Sequence, residues 1–214
     1  MFIPRHPVVE NQFCSYGSQT GTAAAGVGGV VAYAGSVVYL DSTATNQEAI
    51  VYKMAYSASP YTPFGFAMQK VKTGYHQVHP AGFMMPGDLG SSDVIAQPTY
   101  NASGVVTGTK EVPVGVAHLG IWDTVHYTAV GTGTGASDIV PSAAILPGQA
   151  LYAANDQAKV TNTSTLAADA DDLSTGEAVS QTVVARVVKG ASIAKATANI
   201  ANTTLYPIRI KLLV

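Results

Sequence analysis

Pro207-Ile208-Arg209-Ile210-Lys211-Leu212-Leu213-Val214 is the stretch whose reading decides the fold. Ile208, Ile210 and Leu212 alternate with Arg209 and Lys211. Successive side chains on a strand point to opposite faces, so this period of two describes a strand with one buried and one wet face. Working outward, β-rich runs recur at 37–40, 49–53, 64–72, 112–118, 122–129, 150–154 and 182–189. Gly- and Pro-containing turn signals separate them, among them Pro86-Gly87-Asp88, Gly131 to Gly135, Pro147-Gly148, Asn155-Asp156 and Lys189-Gly190. Helix periodicity is scarce. The best candidate is the short stretch 192–201, SIAKATANIA, with one further turn at 165–172. The expected fold class is all-β, a sandwich or small barrels with little helix, under about 15%.

A repeat runs through the body. Gly35-Ser-Val-Val-Tyr39-Leu is followed by Phe66-Ala-Met-Gln-Lys70-Val-Lys72-Thr-Gly74. Gly148-Gln-Ala-Leu-Tyr152-Ala is followed by Val183-Val-Ala-Arg186-Val-Val-Lys189-Gly190. In each, a glycine opens a strand that ends in an aromatic, and a later apolar strand carries a basic residue and stops at glycine. The expected organisation is an N-terminal arm at 1–29, a β unit at 30–110 and a second at 111–214, or one continuous β domain over 30–214. Residues 1–29 hold Pro4, Pro7 and a Gly/Ser/Thr/Ala tract without alternation. That composition reads as an extended, flexible arm that orders on a neighbouring subunit.

Charge is unusually sparse. Asp, Glu, Lys and Arg make up 11% of the 214 residues, against about a quarter in an ordinary soluble domain. Residues 11–40 carry none. A charge-poor surface rich in Ala, Gly, Val, Thr and Ser suits a chain held against other subunits. The formal net charge of −2 provides no basic footprint for nucleic acid. The single Cys14 excludes an internal disulfide framework. The first residues, MFIPRHPVVENQF, lack the apolar core of a signal peptide. Residues 20–40 approach the length of a membrane span, but five glycines and the lack of a basic flank argue for a Gly/Ala segment leading into a strand.

The residues able to carry chemistry form no familiar constellation. His76 and His79 lie in a Gly- and Pro-flanked stretch where strand geometry would turn them apart, so no metal site is assigned. His118, Trp122 and His126 share one face if 118–126 stays extended. Asp123 then faces away from Trp122, which leaves a buried Trp flanked by partly buried histidines rather than a base and its orienter. Asp169, Asp171 and Asp172 lack the glycine and glutamate of a calcium loop. Gly26-Val-Gly28-Gly29 lacks the lysine of a phosphate loop. The Asn-x-Ser/Thr sites at Asn101, Asn162 and Asn202 are expected by chance in so Ser/Thr-rich a chain. No catalytic, cofactor-binding or metal residue is assigned, no cofactor is implied, and the chain is not expected to be an enzyme.

Gly35-Ser-Val-Val-Tyr39 followed by Pro63-Phe-Gly-Phe-Ala67, and Leu146-Pro-Gly-Gln-Ala-Leu-Tyr152 followed by Val184-Ala-Arg-Val-Val-Lys-Gly190, resemble the patterning of head decoration (cement) proteins of tailed bacteriophages. The resemblance covers about half the chain. It implies a structural virion protein on the capsid exterior, made in the host cytoplasm without a signal peptide. It further implies binding to the major capsid protein and to itself as a homo-oligomer, a trimer at three-fold positions, with neither nucleic acid nor membrane as partner. Two other readings stand beside it. One is another virion component: tail tube, baseplate, fibre or minor capsid protein. The other is a carbohydrate-binding β module or enzyme using Trp122, His118 and Tyr127.

Overall fold

The computed structural model describes residues 2–5, 10–18, 29–43, 49–55, 61–74, 93–132, 139–140, 144–167, 177–200 and 206–214. In the first half the strands are β1 (Phe2–Pro4), β2 (Glu10–Tyr16), β3 (Val30–Ala32), β4 (Val37–Leu40), β5 (Ile50–Lys53), β6 (Pro63–Ala67), β7 (Lys70–Thr73), β8 (Asp93–Ala96), β9 (Pro98–Tyr100) and β10 (Val106–Thr109). Then follow β11 (Val112–Leu119), β12 (Ile121–Thr124), β13 (Tyr127–Thr128), β14 (Gly131–Thr132) and β15 (Ile139–Val140). The last are β16 (Ala150–Ala153), β17 (Val160–Thr161), β18 (Ala185–Lys189) and β19 (Ile208–Leu212), with one helix, α1 (Ile193–Ile200), between β18 and β19. The fold is all-β. The expected strand at the C-terminal stretch and the short helix within 192–201 are both present.

Five strands close a small barrel in the order β11-β2-β5-β4-β6. Its neighbours are antiparallel except for β2 and β5, which run parallel through Ser15↔Ile50 and Tyr16↔Val51. Cys14, Tyr16, Val38, Val51, Val114 and Val116 are buried together in one of the two cores. A seven-stranded sheet, β1-β12-β19-β18-β16-β17-β13, makes the second half. It starts on β12 and curls round until β17 meets β13, the continuation of β12, again in parallel. Three smaller sheets, β3-β7-β8, β9-β10 and β14-β15, complete the described strands.

The two halves follow one plan. In chain order, the first set is β2, β4, β5, β6 and β11; the second is β12 with β13, then β16, β17, β18 and β19. In both, the first strand pairs with the fifth, the fifth with the fourth, the fourth with the second, and the second with the third. The third returns in parallel to the first. The agreement reaches single hydrogen bonds. Gly35 N donates to Ala67 O at 2.8 Å and Ala67 N to Ser36 O at 2.9 Å; Gly148 N donates to Val187 O at 2.8 Å and Val187 N to Gln149 O at 3.0 Å. Gly35 and Gly148 have φ of 95° and 85°, a conformation that glycine adopts without the steric cost a side chain would add. The glycines that open the sequence repeat therefore stand at the same turn of the same strand.

Two expectations are corrected. The first is the arm. Phe2–Pro4 pairs antiparallel with β12, and Glu10–Tyr16 lies between β11 and β5 inside the barrel wall. Phe2 stacks on Trp122 at 4.5 Å and 9°, and on Phe66 at 5.7 Å and 13°. The uncharged Gly/Ala tract at 19–28, which lent the region its linker composition, lies outside the described residues. The second is the boundary at 110/111. β11 belongs to the first barrel, and the crossover falls at Gly120, between β11 and β12.

The alternation of the C-terminal strand is realised: Ile208, Ile210 and Leu212 are fully buried while Lys211 is exposed. Ile210→Asp is expected to cost at least about 4 kcal/mol, from a lost aliphatic and an unpaired buried charge. Phe2→Ala is expected to cost about 3 kcal/mol through the lost stack. Deleting residues 1–16 removes a wall strand of the barrel and should abolish its cooperative unfolding. Thermal melts check all three, and an unchanged midpoint for Phe2→Ala would show that the N-terminal strand is not part of the core.

Candidate functional site

Gly120, with φ of 114°, breaks the run that was expected to stay extended over 118–126. His118 ends up on β11, Trp122 on β12 and His126 in the bend before β13, so the three enter different surroundings. Trp122 is buried under Phe2, and its indole N–H donates to Leu119 O at 3.1 Å. Tyr127 is buried too, and burial pushes its hydroxyl up to about 12. Neither ring offers a face to a sugar. His118 is half-buried, with Nδ1 2.8 Å from Phe64 O and its ring edge-on to Phe64. Because that carbonyl only accepts, Nδ1 carries the hydrogen.

His126 enters a constellation that sequence reasoning did not assemble. Its Nε2 lies 3.1 Å from Ser36 Oγ and 3.0 Å from Gln157 O. Ser36 Oγ accepts from Tyr33 N at 3.1 Å and donates to Gln157 O at 3.0 Å. Lys53 Nζ donates to Gln157 Oε1 at 2.9 Å, and Lys159 pairs with Asp156 at 2.6 Å. Tyr33 stacks on the imidazole at 5.2 Å. The group unites the turn before β4 with the β16–β17 turn, and Val37 N adds a bond to Ala158 O at 2.8 Å. Gln157 and Ala158 both have positive φ, 53° and 54°, a strained conformation for side-chain-bearing residues. The carbonyls of that turn take two hydrogen bonds from the other half, from Ser36 Oγ and Val37 N, and a third from His126, which hold the strain in place.

A serine hydroxyl 3.1 Å from an imidazole invites comparison with a hydrolytic dyad, and the hydrogen-bond roles argue against one. Nε2 faces a carbonyl oxygen that can only accept, so it carries a hydrogen and has no lone pair for the proton of Ser36. Both residues are buried, Ser36 completely. The arrangement is a polar clasp between the two halves. A second polar cluster lies within the second sheet, where Asp123 on β12 is held by Arg209 (Nε–Oδ1 2.8 Å) and Arg5 (Nε–Oδ2 2.7 Å). These hydrogen bonds, Arg209's foremost, hold its carboxyl below the usual range. Asp123 does face away from Trp122, as the strand geometry required, and it ties β1, β12 and β19 together.

Of the remaining sequence candidates, the described ones have structural surroundings. Cys14 is buried, and burial pushes its thiol up, which disfavours the reactive thiolate. Asn101 serves its own turn, accepting from Ser103 N and Val105 N. Asn162 accepts from Val130 N at 2.7 Å. His76, His79, Asn202 and the cluster of Asp169, Asp171 and Asp172 lie outside the described residues. No group of three metal-ligating side chains exists among the described residues. Among those residues, too, no helix is long and apolar enough to cross a membrane. No known protein-family model matches the chain, and no curated protein matches it significantly.

The clasp should make stability depend on acid. Burial, aided by the charges of Lys159, the N-terminus and Lys53, pushes His126 down from 6.5 to about 3. The unfolded chain takes up the proton as pH falls through 6.5, and the folded chain resists until about 3. His126's contribution is therefore complete above about pH 6.5 and is lost between there and about 3, by at most roughly 1.4 kcal/mol per pH unit. Asp123, depressed from 3.8, adds its loss only below that value. His126→Gln, which cannot titrate, is expected to flatten the pH dependence of the unfolding free energy between pH 6.5 and 4 in urea titrations. An equally steep dependence in the variant would place the acid sensitivity elsewhere.

Proposed function

We propose that this chain is a structural virion subunit, a head decoration protein that binds the outer surface of the capsid and stabilises it. The observation that carries this reading is where its polar and apolar groups are used. Among the described residues, Ser36, His126, Lys53, Asp123, Arg5 and Arg209, groups from which a site could be made, are engaged in joints between elements of the chain itself. Large apolar side chains meanwhile stand on a charge-poor surface: Phe13 is 80% exposed, Ile193 59% and Leu146 55%. Phe13 projects from β2 opposite Gly115, which has no side chain to cover it. Such a surface loses little charge solvation when covered by a neighbour. Repeated over a lattice, many modest contacts sum to firm attachment.

On this reading the partners are the major capsid protein and other copies of the chain, and no catalytic step is involved. The protein is to be mixed with undecorated expanded heads and sedimented. Saturable co-sedimentation is expected, together with greater resistance of DNA-filled heads to heat or to chelator. Phe13→Ser should weaken the binding at least several-fold without lowering the melting temperature. Absence from head pellets combined with recovery in purified tails would overturn the capsid assignment in favour of a tail component.

A further inference from the structure

The solvent-facing side of β1, β12, β19 and β18 collects five of the chain's eleven Lys and Arg residues. Directly paired residues of neighbouring strands point to the same side of a sheet. Asp123 pairs with Arg209, and Ile121 with Lys211. On the next ladder Arg209 pairs with Lys189, and Lys211 with Arg186. Arg5, just past the end of β1, joins them through its contact with Asp123. The other side of the same strands is the core face of Trp122, Val187, Ile208 and Ile210.

Two features of this face point outside the chain. Like charges directly opposite one another on a strand pair are destabilising. Yet β18 and β19 set Arg186 against Lys211 and Lys189 against Arg209. The second feature is that a carboxylate is supplied at one end of the patch only, where Asp123 engages the Nε atoms of Arg5 and Arg209. Arg186, Lys189 and Lys211 are exposed, and among the described residues no carboxylate pairs with them. Arg186 gives one N–H to Gly148 O at 3.2 Å. A carboxylate brought in among these three would repeat what Asp123 does between the two arginines, and it would relieve the repulsion across the strand pair.

We infer that this basic face binds an acidic protein segment whose Asp or Glu carboxylates engage Arg186, Lys189 and Lys211. Alternate residues along a strand stand about 7 Å apart, so carboxylates at alternate positions of an extended segment match the interval from Arg209 to Lys211. Nucleic acid suits the face less well. The fixed carboxylate of Asp123 repels a phosphate backbone, and among the described residues these four strands set no aromatic side chain on this side for bases to stack on. The net charge of −2 conceals the face, because a sum over the chain carries no position. The inference makes no use of the capsid reading and stands or falls without it.

The test titrates the full chain with poly-L-glutamate and, separately, with a single-stranded oligonucleotide of equal charge. The parent should bind poly-L-glutamate saturably and more tightly than the oligonucleotide, and more weakly as sodium chloride rises from about 20 to about 200 mM. The double variant Lys189→Glu, Lys211→Glu should lose about tenfold or more in affinity, because it sets like charges against the probe. Its melting temperature should stay level or rise, since each substitution then faces an arginine of opposite sign across the strand pair. The control Lys110→Glu, Lys195→Glu makes the same change in net charge at two exposed positions, before β11 and on α1, and should bind within about twofold of the parent. A parent that does not bind, a control that loses as much as the double variant, or tighter binding of the oligonucleotide would each overturn the inference. If the double variant melts early, Lys189→Gln with Lys211→Gln takes its place and is judged by the same affinities.

Discussion

The stack of Phe2 on Trp122 and Phe66 is the interaction on which the arrangement of the two halves depends. Phe66 belongs to the wall of the first barrel, Trp122 to the first strand of the second sheet, and Phe2 to the N-terminal strand between them. Their faces bury a large apolar area in one place, and parallel offset rings add to it. The column sits on a ribbon. One side of the ribbon is β1 and β2; the other is β12 and β11, which Gly120 separates. The ribbon runs from one half of the molecule into the other. Ala117, Val37 and Phe66 from the first half accordingly share a core with Leu151, Ile208, Ile210 and Leu212 from the second. The halves are two copies of a topology joined by one shared core, beside a second core that belongs to the first half.

Around that column the polar groups act as fasteners. Asp123 lies across three strands of the second sheet, and the Ser36–His126–Gln157 group joins two turns. Both are buried enough that removing one partner leaves another without its bond, which is the costly case. This accounts for histidine, serine and lysine lying near one another as partners of the turn's own groups. Their close approach follows from joining the barrel and the second sheet at their turns, where backbone carbonyls converge and need donors.

Legibility in the sequence followed the range of the determining interactions. The C-terminal strand was readable because its alternation is set by its own side chains, and the glycines at 35 and 148 because their backbone conformation is local. β2 was not readable. Phe13 points outward on it while Cys14 and Tyr16 point inward, so its apolar residues follow no period, and it is a strand because β11 and β5 flank it. The Gly/Ala composition immediately following made the whole N-terminal region look like a linker. The boundary was misplaced for a similar reason: β11 closes a barrel begun a hundred residues earlier, and pairing at that separation leaves no local mark. The clasp was beyond reach, because Ser36 and Gln157 belong to no motif and meet His126 only when two distant turns converge.

The order of the second sheet, with β1 and β19 on either side of β12, has a kinetic consequence. β12 lies between the first and the last of the described strands in chain order. The first barrel has all its strands once residue 119 has emerged, and β12 can then receive β1. The other flank of β12, and with it the second sheet, stays open until residues 208–212 arrive. Pairings of such long sequence separation are slow to form, and the unfilled edge is exposed meanwhile. Until residues 208–212 are made, the chain therefore presents a finished barrel and an unfinished sheet, and those residues govern when the sheet ceases to be adhesive.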